Sequence, residues 1–317
     1  MVQENSLKKF AIVICGPTGS GKSDLALNLA KILNTEIISA DSIAIYKHLN
    51  VGSAKPTDYE RSLIKHHLID VFEPFEQVTV SDYEEKASKS INELFSKGKI
   101  PIICGGTGFY VNSLLYDFSY GNCGKNEEIR LKYEKLYQEK SAQFVYNLLK
   151  DIDPITAEKL HYNDKMRVIR ALEIFESSGV KKSDIVDEAK EKFPFVAFSY
   201  NMDRALLYER INLRVEKMFN LGLVDEVKGL IQKGLTIENQ SMQGIGYKEF
   251  FEFDSIDDHV EEIKENIKQN SRRYAKRQIT FFKKLKNLRY IDYVSIEKSV
   301  ETVLGVIKNE FNYNWNW

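Results

Sequence analysis

Residues 10–27 read FAIVICGPTGSGKSDLAL, and the expected architecture follows from this stretch. Its first six residues, 10–15, form an apolar run typical of a strand buried in a parallel sheet. The next eight, GPTGSGKS, match the phosphate-loop pattern G-x-x-x-x-G-K-[ST], and apolar residues recur at helical spacing after them. Strand, glycine-rich turn and helix therefore follow in the order that a phosphate-binding α/β fold requires.

The chemistry of the loop lies in its backbone and in two side chains. Its glycines let the amide groups curl around an anion, Lys22 can reach that anion from the side, and Ser23 can offer its hydroxyl to Mg²⁺. A glycine-rich turn without a ligand is disfavoured, because the strand before the motif and the helix after it are both those of a phosphate loop. The predicted phosphate-binding residues are Gly16, Pro17, Thr18, Gly19, Ser20, Gly21, Lys22 and Ser23.

Composition limits the kind of protein. The chain has 317 residues, of which 43% are apolar and 29% charged, enough for one large or two modest domains. No segment approaches the ~18 apolar residues of a membrane span, and the N-terminus lacks a signal-peptide core. Cys15, Cys104 and Cys123 are an odd count without metal-ligand spacing. We expect a cytoplasmic protein without a membrane partner.

Two more strands are predicted, each followed by a polar residue. EIISADS, residues 36–42, leads to Asp41, and IPIICGGTGFY, residues 100–110, leads through glycines to Thr107. In an open parallel sheet, the carboxyl ends of the strands face the ligand crevice. The predicted fold class is therefore α/β, a phosphate-loop parallel sheet with flanking helices.

Strand patterns vanish between about residues 115 and 195, which predicts an all-helical insertion domain. We expect residues 116–195 to form this insertion and residues 1–115 with 196–317 to form the core, completed by C-terminal helices. Within the insertion, Arg167 and Arg170 share one face of a helix. Surface ion pairing is the more economical interpretation of these two arginines alone.

Charge is unevenly distributed. The net charge is −1, yet residues 264–289 hold ten basic residues against one acid, Glu265. A solvated helix face and a polyanion-binding surface are equally compatible with this pattern. Earlier in the chain, Arg210 and Arg214 are four apart on a predicted helix, a spacing typical of structural surface arginines but also of enzymes that close over a departing phosphate.

The stretch HHLID, residues 66–70, invites a metal-site interpretation. His66 and His67 are adjacent, so on a strand their side chains point to opposite faces. No third soft ligand is near in sequence, and a structural or hydrogen-bonding role is favoured over metal binding.

Taken together, the motifs resemble one family, the tRNA dimethylallyltransferases, which prenylate the adenosine immediately 3′ of the anticodon. The resemblance extends over nearly the whole chain in the family order. Its motifs are GPTGSGKS, SADS, GSAKP, HHLID, GGTGFY, MRVIRALE, SMQGIGYKE and SRRYAKRQITFF. One position departs from the family pattern Asp-Ser-x-Gln, since Ala44 stands where glutamine is expected, so a contact made by that glutamine does not carry over.

The resemblance implies a reaction and its participants. The loop would hold the diphosphate of dimethylallyl diphosphate with Mg²⁺ at Ser23, and Arg214 or Arg210 would help to neutralise the leaving group. Asp41 would take the proton from the exocyclic amine of a flipped adenine, read by side chains such as Thr107. The implied catalytic residues are Asp41, Thr107 and Arg214.

The second implied substrate is the tRNA anticodon stem-loop, bound by a protein that we expect to be a monomer. The implied tRNA-binding residues are Asp41, Ser42, Ile43, Ala44, Thr107, Arg130, Met166, Arg167, Val168, Ile169, Arg170, Arg273, Lys276 and Arg277. Two alternatives stay open at this point: a phosphate-loop kinase for a small molecule or nucleotide, and a non-catalytic nucleotide-gated RNA-binding protein.

Overall fold

The computed structural model describes residues 9–117, 124, 126–185 and 190–311. The chain divides into two compact units, one formed by Met1–Leu115 with Glu191–Trp317 and the other by Tyr116–Lys190. The second unit thus ends five residues before the expected boundary at 195. Cys123 lies outside the described residues. In the described part of the chain, no helix is long and apolar enough to cross a membrane.

The first unit is built on a six-stranded sheet in which every recorded strand pair is parallel. Its strand order is β3-β2-β4-β1-β7-β8, and β5 pairs with β6 in a separate two-stranded sheet. The strands are β1 Ala11–Cys15, β2 Ile37–Ala40, β3 His66–His67, β4 Ile102–Gly105, β5 Tyr116–Asp117, β6 Lys190–Glu191, β7 Phe195–Asn201 and β8 Leu288–Asp292. The α/β class with a parallel sheet is confirmed.

Twelve α-helices are present among the described residues. They are α1 Lys22–Ile32, α2 Asp58–Leu63, α3 Val80–Ser96, α4 Gly108–Leu115, α5 Glu127–Glu139, α6 Ala142–Ile152, α7 Pro154–Glu158, α8 Lys165–Ser178, α9 Arg204–Asn220, α10 Leu223–Gln232, α11 Val260–Phe282 and α12 Ile296–Phe311. The C-terminal part is not helical throughout, because β8 follows α11 and pairs with β7 at the edge of the sheet.

The core of the first unit explains why residues 10–27 fold as predicted. All five residues of β1 are buried, as expected for a strand covered on both faces. Leu25 and Leu29 of α1 pack with Val303 and Ile307 of α12 in the same core cluster. The apolar spacing of the two helices thus covers one face of the sheet and fixes the position at which α1 begins, immediately after the glycine-rich loop.

In the second unit, α5, α6, α7 and α8 pack around their own apolar core. A buried carboxylate lies beside that core: Glu173 is 0% exposed and accepts hydrogen bonds from both Arg130 and Arg170. The amide of Asn126 is a further donor, at 2.7 Å. Burial alone would raise the pKa of Glu173, but these hydrogen bonds outweigh it and hold the pKa below its ordinary value.

We predict that Glu173→Gln lowers the free energy of unfolding by about 3 kcal/mol at pH 7, because it removes the buried negative charge, and one of the two acceptor oxygens, that two guanidinium groups share. The carboxylate contribution is fully present above its ordinary pKa and is lost as pH falls through the lowered native pKa, so parent and variant converge in acid. Denaturant unfolding at a series of pH values measures this. Glu128→Gln on exposed α5 is the control, and an unchanged stability of Glu173→Gln would contradict the prediction.

Candidate active site

The central strands β2, β4 and β1 are neighbours, so the residues after their carboxyl ends meet at one edge of the sheet. A cavity of about 410 Å³ opens there. It is lined by residues that follow all three strands, among them Lys22, Asp41 and Thr107, together with Arg214 from α9. The predicted convergence of these groups from distant parts of the sequence is therefore seen in the structure.

The glycine-rich loop has the conformation expected of an anion-binding turn. Gly19 and Gly21 have φ angles of +79° and +90°, a region that favours glycine. Gly21 caps α1 without a side-chain hydrogen bond, which leaves the first amides of the helix available to a ligand. Lys22 Nζ donates to the carbonyl of Pro17 at 3.2 Å, so the lysine folds back over the loop.

Two partly buried cations, Lys22 and Arg214, share this part of the site. Burial lowers the pKa of Lys22, and the positive charge of Arg214 lowers it further. Burial also lowers the pKa of Arg214, while Asp41 acts in the opposite direction. Two like charges held together in a desolvated pocket are unfavourable by themselves, and an anion bound between them would relieve that cost.

The structure separates the roles of the two arginines that the sequence left undecided. Arg214 lines the cavity with Asp41. Arg210 instead donates from Nε to the carbonyl of Gly19 at 2.9 Å, and its guanidinium lies 5.2 Å from the ring centroid of Tyr293. Both arginines, with Lys22, also line a second cavity of about 1080 Å³. Arg214 therefore faces the cavity of Asp41, and Arg210 supports the loop.

Asp41 is held by the turn that follows β2. Its Oδ1 accepts hydrogen bonds from the amides of Ile43 at 2.9 Å and Ala44 at 3.0 Å. The second carboxylate oxygen, Oδ2, takes part in neither bond. The carboxylate of Asp41 is therefore oriented through Oδ1 alone. The turn needs a hydrogen-bond acceptor at Oδ1 but does not need the negative charge of the carboxylate.

Thr107 connects the ends of β4 and β2. Its hydroxyl oxygen accepts from the amide of Ser42 at 3.1 Å and lies 3.3 Å from Ser42 Oγ. Its amide donates to the carbonyl of Ala40 at 3.1 Å. Asp41, Ser42 and Thr107 thus form one hydrogen-bonded rim of the cavity, as the positions of the predicted strands implied.

Helix α11 supplies Gln278, a residue that the sequence analysis missed. Gln278 is buried, accepts from the amide of Thr18 at 2.9 Å and donates to the carbonyl of Gly106 at 2.9 Å. A Cβ at Gly106 would lie only 2.2 Å from Gln278 Nε2, so a larger residue does not fit there. Tyr274, one turn earlier, also lines the cavity. Gln278 therefore fixes α11 to the phosphate loop.

The basic segment carries less unpaired charge than its composition suggests. Lys264 and Lys268 both pair with Glu216 of α9, and Arg289 pairs with Glu310. Arg273, Lys276 and Arg277 have no part in these pairs and are exposed. Arg277 also lines the cavity, so the open basic surface of α11 continues to its mouth.

The predicted tRNA-binding residues of the second unit differ in availability. Arg130 and Arg170 are bound to buried Glu173, and Val168 and Ile169 belong to the core, so their side chains offer little surface to RNA. Among the predicted tRNA-binding residues of this unit, Met166 and Arg167 have side chains at the surface, being 63% and 66% exposed. Arg167 lies 3.3 Å from Asp164, the surface pairing that the sequence also allowed.

The candidate metal ligand that the sequence predicted is the hydroxyl of Ser23 in the loop. Among the described residues, no cluster of three or more His, Cys, Asp or Glu side chains could hold a metal ion. The two histidines have other partners: His67 Nε2 contacts Glu36 at 2.7 Å, and His66 Nδ1 contacts the carbonyl of Ile64. Ser23 lines both cavities beside Lys22. A single protein hydroxyl suffices for Mg²⁺ when water molecules and substrate phosphates supply the other ligands of the ion.

Comparisons with known proteins agree with this geometry. Residues 44–285 match the family model described as IPP transferase. The tRNA dimethylallyltransferase of Acetivibrio thermocellus is 43% identical over 298 residues, which cover 92% of this chain and 95% of that protein. The solved tRNA isopentenylpyrophosphate transferase of Bacillus halodurans is 36% identical, with a TM-score of 0.72, and the match covers 96% and 97% of the two chains. A eukaryotic dimethylallyltransferase acting on tRNA is 29% identical, with a TM-score of 0.83 and coverage of 98% and 81%.

The fold and the cavity define an α/β protein with a glycine-rich loop at the carboxyl edge of a parallel sheet. The family match spans well over half of the chain, and relatives above 30% identity cover nearly all of it. The chain belongs to the IPP transferase family. The resemblance drawn from the motifs is thereby confirmed.

Proposed function

We propose that this protein transfers a dimethylallyl group from dimethylallyl diphosphate to the exocyclic amine of the adenosine immediately 3′ of the anticodon in tRNA, releasing diphosphate. The observation that carries the proposal is the single cavity in which Lys22 and Arg214 share space with Asp41 and Thr107. Such a cavity offers cations to a leaving group and a carboxylate to a nucleophile. The names of the relatives over nearly full length support the same activity.

On the donor side, the loop amides, Lys22 and Arg214 bind the diphosphate and stabilise the charge that develops on it as the carbon–oxygen bond breaks. Arg210 keeps the loop in shape through Gly19. When bound at Ser23, Mg²⁺ would neutralise further charge on the diphosphate.

On the acceptor side, an adenine extruded from the anticodon loop enters the cavity and meets Asp41, Ser42 and Thr107. The amine nitrogen forms a bond to the prenyl carbon as the bond to diphosphate breaks. Its proton passes to Oδ2 of Asp41, the oxygen not used by the turn. Asp41 is thus the general base, and Arg214 and Thr107 complete the catalytic set.

The exposed residues Arg273, Lys276 and Arg277 bind tRNA phosphates next to the cavity, and Met166 and Arg167 provide a second contact. We further propose that the protein acts as a monomer and in the cytoplasm, where tRNA is present. Ala44 lines the cavity, but its methyl group forms no hydrogen bond to a base.

The direct test is to incubate the purified protein with dimethylallyl diphosphate, Mg²⁺ and unmodified tRNA, and to analyse the nucleosides by mass spectrometry. We expect a prenylated adenosine and one diphosphate released per transfer. Phosphate released from ATP, with no change in tRNA, would refute the proposal and favour a kinase.

Asp41→Asn should slow the chemical step by about 10²- to 10⁴-fold, because asparagine cannot accept the amine proton. Its Oδ1 can still accept from Ile43 and Ala44, so the turn and both substrate affinities should stay within a few-fold of the parent. Single-turnover kinetics at saturating donor and tRNA measure this step. Asp254→Asn, an exposed change in the same unit, is the control.

Two outcomes would count against Asp41 as the base. Turnover of Asp41→Asn at the parental rate would eliminate the assignment. Rescue by raised Mg²⁺ together with weakened donor binding would instead make Asp41 a metal-organising residue.

Replacing Arg273, Lys276 and Arg277 with glutamine should weaken tRNA binding and reduce the slope of log affinity against log salt. The reduction should be about 0.7 to 0.9 for each lost phosphate contact. The triple variant of the exposed Lys31, Lys86 and Lys89 on α1 and α3 removes the same charge elsewhere and should keep the parental slope. Equal slopes in the parent and the two triple variants would show that these three residues of α11 are solvated and do not contact tRNA phosphates.

A further inference from the structure

Four consecutive amide groups, those of residues 50–53, converge on two side chains at the edge of the site. Glu226 Oε2 accepts from the amides of Asn50 and Val51, each at 2.8 Å, and Oε1 accepts from Gly52 at 3.1 Å. The Tyr247 hydroxyl accepts from the amide of Ser53 at 3.2 Å and donates to Glu226 Oε1 at 2.8 Å. Successive amides of this kind form an anion-binding concavity, which here holds a carboxylate of the protein itself.

Packing makes this arrangement specific. Tyr247 is fully buried, and a Cβ at Gly52 would lie 2.5 Å from its ring, so only glycine allows the turn to lie on the tyrosine. Burial, with Glu226 nearby, raises the pKa of Tyr247 well above its ordinary value. The phenol therefore stays protonated and remains a donor to Glu226.

The turn presents one group to the active site. The carbonyl of Ser53 accepts a hydrogen bond from Arg214 Nη2 at 3.2 Å. Among the described residues, Arg214 forms no ion pair with a carboxylate. The carbonyl of Ser53 is instead the group to which its guanidinium donates. The position of the guanidinium thus depends on the position of a backbone oxygen that Glu226 and Tyr247 fix.

We infer that Glu226 and Tyr247 are positioning residues that hold the Ser53 carbonyl so that Arg214 presents its remaining donors to the diphosphate. This inference rests on the proposed function, in which diphosphate occupies the cavity beside Lys22. Neither Glu226 nor Tyr247 lines that cavity. Tyr247, which belongs to the motif SMQGIGYKE whose chemistry the sequence did not reveal, thereby acts through Arg214 rather than on substrate.

A double-mutant cycle tests the inference. Calorimetry measures the affinity of inorganic diphosphate with Mg²⁺ for the parent, Tyr247→Phe, Arg214→Ala and the double variant. We expect Tyr247→Phe to weaken binding about tenfold in the parent, the size of one hydrogen bond to a charged group, and less than twofold once Arg214 is alanine. Single-turnover rates should fall in parallel while tRNA affinity stays unchanged.

Equal losses in the two backgrounds would overturn the inference, because a merely structural effect does not depend on Arg214. Tyr290→Phe, which removes a hydroxyl from an exposed tyrosine, should change nothing. If Tyr247→Phe folds poorly, Glu226→Gln completes the same cycle. A parent that binds diphosphate but transfers no prenyl group would refute the proposed function, and the diphosphate cycle would still decide the role of Glu226 and Tyr247.

Discussion

The adjacency of β2, β4 and β1 in one parallel sheet is the constraint on which the site depends. Parallel strands end at the same edge, so the phosphate loop, the turn at Asp41 and the turn at Thr107 must meet there. At Gly105, a Cβ would lie 2.1 Å from the carbonyl of Ala40, which shows how closely the ends of β4 and β2 approach. The rim of the cavity is therefore a consequence of strand order and of small residues at strand ends.

The sequence predicted those parts of the site that local patterns encode. A buried strand followed by a polar residue located Asp41 and Thr107, and the glycine pattern located Lys22. It did not reveal Gln278 or Tyr247, which act across 260 and 194 residues on Thr18 and Ser53. No periodicity relates such distant positions. Gly52 and Gly106, where a Cβ would collide with these side chains, were the only local signs that something approaches the backbone.

The same limit explains why charge counting alone left the role of α11 open. Along the chain, Lys264 and Lys268 stand beside a single acid, but in the fold both reach Glu216 on α9. In the second unit, the predicted RNA contacts Arg130 and Arg170 likewise have a carboxylate partner, Glu173, that the sequence did not reveal. Basic residues become available to a polyanion only where the fold brings no carboxylate to them, and that depends on tertiary packing.

The distinction between basic residues with and without a carboxylate partner also explains how the site keeps its positive charge. Lys22, Arg210 and Arg214 each donate to a backbone carbonyl, those of Pro17, Gly19 and Ser53. In the described part of the chain, none of the three forms an ion pair with a carboxylate. A carbonyl satisfies a hydrogen bond without cancelling the charge, whereas a carboxylate partner would compete with the diphosphate for the same donors. The cost is the partial desolvation of Lys22 and Arg214, two like charges, and a bound anion would relieve it.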